Sequence, residues 1–294
     1  MVRKNFDRTM VAIQRQLKAM NASIYELGLF HRENDQMLPR FWNAQEIIKS
    51  VSWLKSMNFK GYEIFIRPQG SQGLVFFDDL NLGTIEKMKK EGYAPAVIIE
   101  SSPMNYHGWI KVSNDPIPED LATAVCKSIA QRYSGDKDSA DWRHYGRLAG
   151  FTNRKPKYIQ ANGNQPFVLL SSANGKLAEK SGELISHGLE FLEVENIKKL
   201  ERQAFLKNRV VNENLKDACD YYQSELYGLE ARYGNALDCS RADWMIVNKM
   251  IYLGYSEFSI RDAMEMCSPA LESRSKHGDN YIETTLINAF GKKS

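Results

Sequence analysis

The amino-acid sequence predicts an α+β protein in which a mainly antiparallel sheet with covering helices precedes an all-helical region. Short apolar runs typical of strands occur between residues 23 and 171, and helical patterns separate them. Strand patterns stop after Gly175. From Lys176 onward, the apolar residues recur at helical spacing within long charged stretches. This order is typical of a sheet domain followed by a helical module.

The elements of the first region follow in order from these patterns. Apolar residues at helical spacing predict a first helix around residues 10–20, and Asn43 is a suitable N-cap for a second. Further helices are expected at 84–91 and from about 118 to 133, and residues 34–42 are expected to form a loop. Strands are expected at residues 23–29, 62–67, 74–79, 96–100, 106–112 and 167–171. Helices covering one face of such a sheet leave the other face free for a site.

The second region divides into a long helix and a bundle. A charged helix is expected from residue 176 to about 209, followed by helices at 215–233, 241–253 and 259–266. We therefore expect a sheet domain at 1–175, a long connecting helix at 176–212 and a C-terminal helical bundle at 213–294.

Composition excludes several classes of protein. The chain has 294 residues, 43% of them hydrophobic, but no run of eighteen apolar residues, so no membrane segment is expected. The N-terminus lacks the apolar core of a secretory signal. Its four cysteines are widely spaced and include no CxxC pair, which favours a reducing cytoplasm and argues against a zinc finger. The net charge of +3 is only a weak indication of a nucleic-acid partner.

Two adjacent acids, Asp78 and Asp79, end the apolar strand LVFFDD. A single Asp there would be an ordinary turn residue. Two adjacent carboxylates repel each other unless water or a cation separates them. A divalent metal would turn that repulsion into binding, and Mg²⁺ or Mn²⁺ prefers carboxylate oxygen. Because neighbouring side chains of a strand face opposite ways, both acids can reach one metal site only if the strand ends, bends or bulges there.

A second acidic cluster precedes a basic segment rich in aromatic residues. Its acids, Asp136, Asp138 and Asp141, fit a solvated loop by themselves. The segment WRHYGRLAGFTNRKPK follows, and its cations and aromatic rings suit a nucleotide or single-stranded DNA about as well as they suit an ordinary basic surface loop. The basic residues concerned are Arg143, His144, Arg147, Arg154, Lys155 and Lys157. A further candidate phosphate contact is His107, although a histidine inside a strand is more often a hydrogen-bonded core residue.

These stretches resemble the archaeo-eukaryotic primase superfamily, and most of all the RepB-type primases of mobilisable IncQ-like plasmids, which are often fused to a MobA relaxase. The resemblance extends from about residue 7 to residue 285. Its most specific stretches are GLVFFDDL, SPMNYHGWIKV, DWRHYGRLAGFTNRKPK and SPALESRSKHGDNYIETT. The third is similar to the RLPGxxNxK signature of related primases, with Ala149 where proline is common.

The resemblance implies a fold, a reaction and a set of site residues. The fold is an RRM-like catalytic domain joined by a long helix to a helical bundle. The reaction is primer synthesis on a single-stranded DNA origin from NTPs or dNTPs by two-metal nucleotidyl transfer with Mg²⁺ or Mn²⁺. A plasmid helicase and initiator proteins are candidate partners. The implied catalytic metal ligands are Asp78, Asp79 and Asp136, with Asp141 in reserve, and the implied nucleotide- or DNA-binding residues are His107, Arg143, His144, Arg147, Asn153 and Lys155.

Two rival functions use some of the same residues. A non-catalytic module that binds single-stranded origin DNA would need the basic and aromatic residues but neither Asp78 nor Asp79. A metal-dependent relaxase would need a histidine-rich metal cluster, which the five scattered histidines do not form in the sequence. No Walker A, GxGxxG or GxSxG motif supports a P-loop, dinucleotide-binding or esterase function.

Overall fold

The computed structural model of the chain describes residues 7–135, 139–212, 215–272 and 278–291. It confirms the predicted α+β class and the helical C-terminal region. The chain divides into two compact units, Met1–Glu195 and Asn196–Ser294. Among the described residues, no helix combines the length and the apolar character needed to cross a membrane.

The first unit contains all the described strands. Its strands are β1 (Tyr25–His31), β2 (Gln36–Trp42), β3 (Tyr62–Pro68), β4 (Leu74–Leu80), β5 (Val97–Ser102), β6 (Asn105–Lys111), β7 (Gly146–Arg147) and β8 (Leu169–Ala173). Its helices are α1 (Arg8–Met20), α2 (Ala44–Lys49), α3 (Val51–Phe59), α4 (Leu82–Lys90) and α5 (Glu119–Tyr133), and the long helix α6 (Ser181–Asn208) begins in this unit. The helix expected after Asn43 is therefore two helices, separated at Ser50.

The strands form two four-stranded antiparallel sheets instead of the single sheet expected from the sequence. One has the order β2-β1-β3-β7 and the other the order β4-β6-β5-β8. Residues 34–42, expected to be a loop, largely form β2, which pairs with β1 along its whole length. Pro39 obscured this strand in the sequence, and it is tolerated because β2 lies at the edge of its sheet.

Two apolar cores pack the sheets against the helices of this unit, and the first core includes residues of both sheets, among them Phe76, Val97 and Trp109. The first core joins β1 and β3 to α1, α2 and α3 and includes Ile13, Leu17, Leu27, Leu29, Leu54 and Ile66, all buried. The second joins β4 and β6 to α4, α5 and the start of α6, and includes Val75, Met88, Ile110, Val125, Ile129 and Leu184. Gly188 of α6 lies directly against Val125 of α5, so the first turns of α6 belong to this core.

The second unit is built from helices α7 (Ala218–Tyr233), α8 (Cys239–Leu253), α9 (Glu257–Cys267), α10 (Pro269–Glu272) and α11 (Gly278–Ala289). Its core includes the buried carboxylate of Asp243. This group accepts hydrogen bonds from the hydroxyls of Tyr222 (2.5 Å), Ser268 (2.5 Å) and Tyr281 (2.7 Å). Because these donors satisfy the buried acid, they tie α7, α8 and α11 together.

Candidate active-site cleft

A polar cleft of about 420 Å³ lies between the two sheets of the first unit. Both sheets supply its walls, together with the segment around β7 and the loop that follows it. The lining residues are Phe65, Asp78, Asp79, Ser101, Ser102, Asn105, His107, Ser139, His144, Tyr145, Gly146, Arg147, Asn153, Lys155, Lys157 and Tyr158.

The two adjacent acids line this cleft together because their strand is irregular at that point. The register of β4 against β6 shifts between Phe77 and Leu80. Asp79 adopts the left-handed backbone conformation, with φ 57°. Such a bulge turns consecutive side chains away from strict alternation, which removes the geometric objection to a shared site. The Asp79 carboxylate also accepts a hydrogen bond of 3.2 Å from the side-chain amide of Asn105.

The donor set at the bulge suits a hard divalent cation. Two carboxylates in a polar cleft match the oxygen ligands that Mg²⁺ prefers, and this ion commonly keeps several waters and substrate phosphates as its other ligands. Within the described ranges, no group of three His, Cys, Asp or Glu side chains forms a complete protein cage. Asp136, the expected third ligand, and Asp138 lie outside the described residues. The reserve acid Asp141 does not line the cleft, and its carboxylate accepts the backbone N–H of Arg143 at 2.6 Å.

His107 joins the two sheets at the floor of the cleft. Its side chain on β6 is buried, and Nε2 accepts the backbone N–H of Arg147 on β7 at 3.0 Å. Burial, reinforced by the positive charge of Arg147, lowers the pKa of His107 to about 3. The ring is therefore neutral at pH 7 and carries its proton on Nδ1. With Nε2 occupied by the backbone, His107 sets the distance between β6 and β7.

Arg147 presents a buried positive charge to the cleft. Its guanidinium lies 4.2 Å from the centre of the Phe65 ring and donates a hydrogen bond of 2.7 Å to Glu63. Burial lowers the pKa of Arg147, and the Glu63 carboxylate opposes that shift. An arginine remains protonated under such conditions, so the cleft contains a fixed cation near the acid pair.

The loop after β7 adds two lysines to the same cleft. Asn153 is buried at its base, where the side-chain amide donates to the carbonyl of Ser101 (2.6 Å) and Oδ1 accepts the backbone N–H of Lys155 (3.0 Å). Farther along, the Tyr158 hydroxyl pairs with that of Ser102 at 3.0 Å. These contacts fix the loop that places Lys155 and Lys157 at the cleft.

The remaining two predicted binding residues differ in position. His144 lines the cleft and stacks on Phe76, with ring centres 5.1 Å apart. Arg143 is exposed and lines a second pocket of about 400 Å³, together with Trp142 and residues of α5 and α6. The cleft therefore brings together five of the six predicted binding residues and leaves Arg143 outside.

Comparison with known proteins identifies the family. The family model of the RepB DNA-primase N-terminal domain matches residues 12–202, and that of the RepB DNA-primase C-terminal helical domain matches residues 237–289. The chain belongs to the RepB DNA-primase family. The resemblance seen in the sequence is thus confirmed.

Individual relatives of this RepB-family chain include longer proteins and solved structures. It is 39% identical to mobilization protein A of Escherichia coli over 98% of its own length but spans only 41% of that protein. A DNA primase of Acidithiobacillus ferrooxidans is 27% identical, with 86% of this chain and 74% of that protein covered. The crystal structure of primase RepB′ matches with TM-score 0.62 and 39% identity over 97% of this chain and 95% of the other. The catalytic domain of primase RepB′ in complex with initiator DNA matches with TM-score 0.60 and 40% identity over 66% of this chain and 98% of the other.

The cleft of this family member also contains residues that the sequence did not single out for a role. Ser101, Ser102 and Asn105 line it from the β5–β6 hairpin, and the last two lie within the motif stretch SPMNYHGWIKV. Tyr145 and Tyr158 lie within or just after the basic segment, where their position among cations was the available signal. Phe65 and the buried Glu63 carried no such signal, because each reads as part of an ordinary strand.

Proposed function

We propose that this chain is a DNA primase that initiates plasmid replication by synthesising a short primer on a single-stranded DNA origin. The observation that carries the proposal is the meeting of an acid pair and several cations in one polar cleft. Membership of the RepB DNA-primase family supports the same reaction, since relatives of this chain are DNA primases.

Each wall of the cleft has a distinct part in nucleotidyl transfer. Asp78 and Asp79 would hold Mg²⁺ or Mn²⁺, with Asp136 as the proposed third ligand. The bound metal would lower the pKa of a primer 3′-hydroxyl and steady the triphosphate. Arg147 and Lys155 would balance the phosphate charge during the transfer. Neutral His107 would hold Arg147 at its position opposite the acids.

The cleft also has the means to hold an unstacked base. Tyr158 and His144 offer flat ring surfaces beside the cationic loop, and aromatic rings accept any base with little sequence preference. One similar structure is a complex with initiator DNA. We therefore propose single-stranded origin DNA and NTPs or dNTPs as the substrates. A plasmid helicase and initiator proteins are the proposed partners at the origin.

A primer-synthesis assay on single-stranded plasmid-origin DNA, with and without Mg²⁺, tests the proposal. The wild-type chain should synthesise primers only with a divalent cation, and Asp78→Asn should abolish synthesis because a metal ligand is lost without loss of core volume. Asp115→Asn, an exposed acid of the same unit, is the matched control and should behave as wild type. In parallel, Lys155→Gln should raise the KM for nucleotide.

The alternative function, a non-catalytic origin-binding module, gives a different result. Such a protein would bind the single-stranded origin but make no primer under any metal condition. Asp78→Asn would then leave every measured property unchanged, and the proposed reaction would be rejected.

A further inference from the structure

A buried carboxylate in the first unit is shared between two arginines, only one of which lines the cleft. Glu63 on β3 has a fully buried side chain. One of its oxygens accepts from Arg147 at 2.7 Å and the other accepts from Arg32 at 2.7 Å. The Arg147 side chain is 6% exposed, whereas that of Arg32 is 43% exposed.

This sharing decides how much positive charge Arg147 can offer. A buried arginine paired with a single buried carboxylate is close to a neutral pair, and its attraction for a phosphate is correspondingly weak. A second guanidinium on the same carboxylate gives the group of three a net charge of one positive unit. Each oxygen of Glu63 then serves one arginine, as bidentate sharing of a carboxylate allows.

The position of Arg32 excludes direct participation in the cleft. It follows β1 at the turn into β2, where its guanidinium lies 5.4 Å from the centre of the Phe30 ring, and it is not among the cleft-lining residues. It acts on Arg147 through the carboxylate that the two arginines share and through the repulsion between their charges. Arg32 also satisfies the second oxygen of a fully buried carboxylate, so it contributes to stability as well as to the charge of the group.

We propose that Arg32 is a positioning residue for the nucleotide site: by sharing Glu63, it keeps that carboxylate from neutralising Arg147. The inference rests on the proposed function, in which Arg147 faces the triphosphate. Glu63 has two roles in this arrangement. It fixes the Arg147 guanidinium over the Phe65 ring, and its hydrogen bond to Arg32 couples the charge of Arg32 to Arg147 in the cleft.

The test measures binding of Mg·ATP to the full chain by displacement of a fluorescent ATP analogue. Arg32→Gln should weaken binding roughly fivefold, an effect expected of one charge acting across a partly screened path. Arg32→Lys should restore most of the affinity because the charge returns. Arg40→Gln removes one charge from β2 of the same sheet and should bind as wild type. Arg32→Gln removes the charge beside a fully buried carboxylate and should lower the Tm, so binding is compared at a temperature at which all three variants are folded.

A double-mutant cycle tests the route through Glu63. In the E63Q background the shared charge is gone, so adding Arg32→Gln should cause no further loss of affinity. If E63Q does not fold, the comparison of R32Q, R32K and R40Q still decides the question. If R32Q and the wild type bind Mg·ATP with equal affinity, the proposal is overturned. It is also overturned if R40Q loses as much affinity as R32Q, because that result would indicate a general effect of net charge and not a specific effect of Arg32.

Primer synthesis measured on the same proteins separates this inference from the proposed function. If the wild-type chain binds Mg·ATP but makes no primer, the proposed reaction is wrong, but the binding comparison still tests the role of Arg32. If the wild-type chain does not bind Mg·ATP at all, the role of Arg32 is overturned as well.

Discussion

Replacing Gly146 with alanine should force the two sheets apart at the floor of the cleft. A Cβ atom at this position would lie 2.2 Å from Cη2 and 2.4 Å from Cζ2 of the Trp109 indole. It would also lie 2.9 Å from Nε2 of His107, the atom that accepts the backbone N–H of Arg147. Trp109 is fully buried on β6, so its ring has no open space into which to turn.

The magnitude follows from these distances. To reach ordinary carbon–carbon contact at about 3.5–4.0 Å, the indole or the β7 backbone must retreat by about 1.5 Å. Overpacking of this kind in a close-packed core costs about 2 kcal/mol. For a unit of this size, such a loss corresponds to a fall in Tm of roughly 4–8 °C. The same displacement lengthens the contact between His107 and Arg147, so the KM for nucleotide should rise as well.

Thermal unfolding and steady-state primer synthesis check this prediction. Gly182→Ala is the control, because nothing lies within 4 Å of a Cβ atom there. Trp109→Phe removes the clashing atoms, so adding Gly146→Ala to W109F should cost much less than it costs in the wild type. A Gly146→Ala protein with unchanged Tm and KM would refute the reasoning, and an equal cost in both backgrounds would show that Trp109 is not the obstacle.

Three further predictions concern other parts of the chain. Primer synthesis should be abolished in the three variants Asp79→Asn, Asp79→Gly and Asp79→Ala. Only the alanine variant should also show a free energy of unfolding lower by about 1 kcal/mol in chemical denaturation, because alanine tolerates the left-handed backbone conformation poorly. If the glycine variant still synthesised primers, Asp79 would be a turn residue and not a metal ligand. His107 has a folded-state pKa of about 3, below its unfolded value, so its contribution to stability is complete above about pH 6.5 and falls by about 1.4 kcal/mol per pH unit as the pH is lowered toward 3. His107→Gln should flatten that part of the stability–pH curve, and an unchanged slope would contradict the assignment. A fragment of residues 1–195 should fold and extend a preformed primer but start primers poorly, because the first step must hold a template and two nucleotides without a duplex, and we expect residues 196–294 to help with that step. Full de novo priming by this fragment would contradict that expectation. A fragment of residues 1–175 should be less stable because it lacks Leu184, a buried member of the second core.

For the acid pair, the sequence predicts which residues form the site but not the geometry that brings them together. Two adjacent carboxylates after an apolar run led us to predict a metal site, because a bound cation would offset the repulsion between their charges. The bulge that lets both line one cleft depends on how β4 pairs with β6, and no local pattern of residues 74–80 specifies that pairing. The likeness to primases led to the proposed function of the pair, and the strand register gives its geometry.

The sequence could not predict the partners of Arg147. Glu63 lies in the strand YEIFIR, where alternation with apolar neighbours reads as an ordinary solvent-facing acid. It is buried because β3 lies between β1 and β7, which bring a guanidinium to each of its oxygens. Strand order is a tertiary property, and for the same reason the sequence did not predict that the strands would divide between two sheets.

The division of the cleft between two sheets has a consequence for its resistance to mild denaturation. The acids come from the sheet containing β4, whereas Arg147 comes from the sheet containing β3. β7, the strand that carries Arg147, is only two residues long. It pairs with β3 at only two positions, and a ladder of so few backbone hydrogen bonds is more open to local fluctuation than a long strand. Amide protons around residues 146–147 should therefore exchange with solvent faster than those of β1 or β6. In urea, primer synthesis should disappear at concentrations where the ellipticity of the chain is still unchanged.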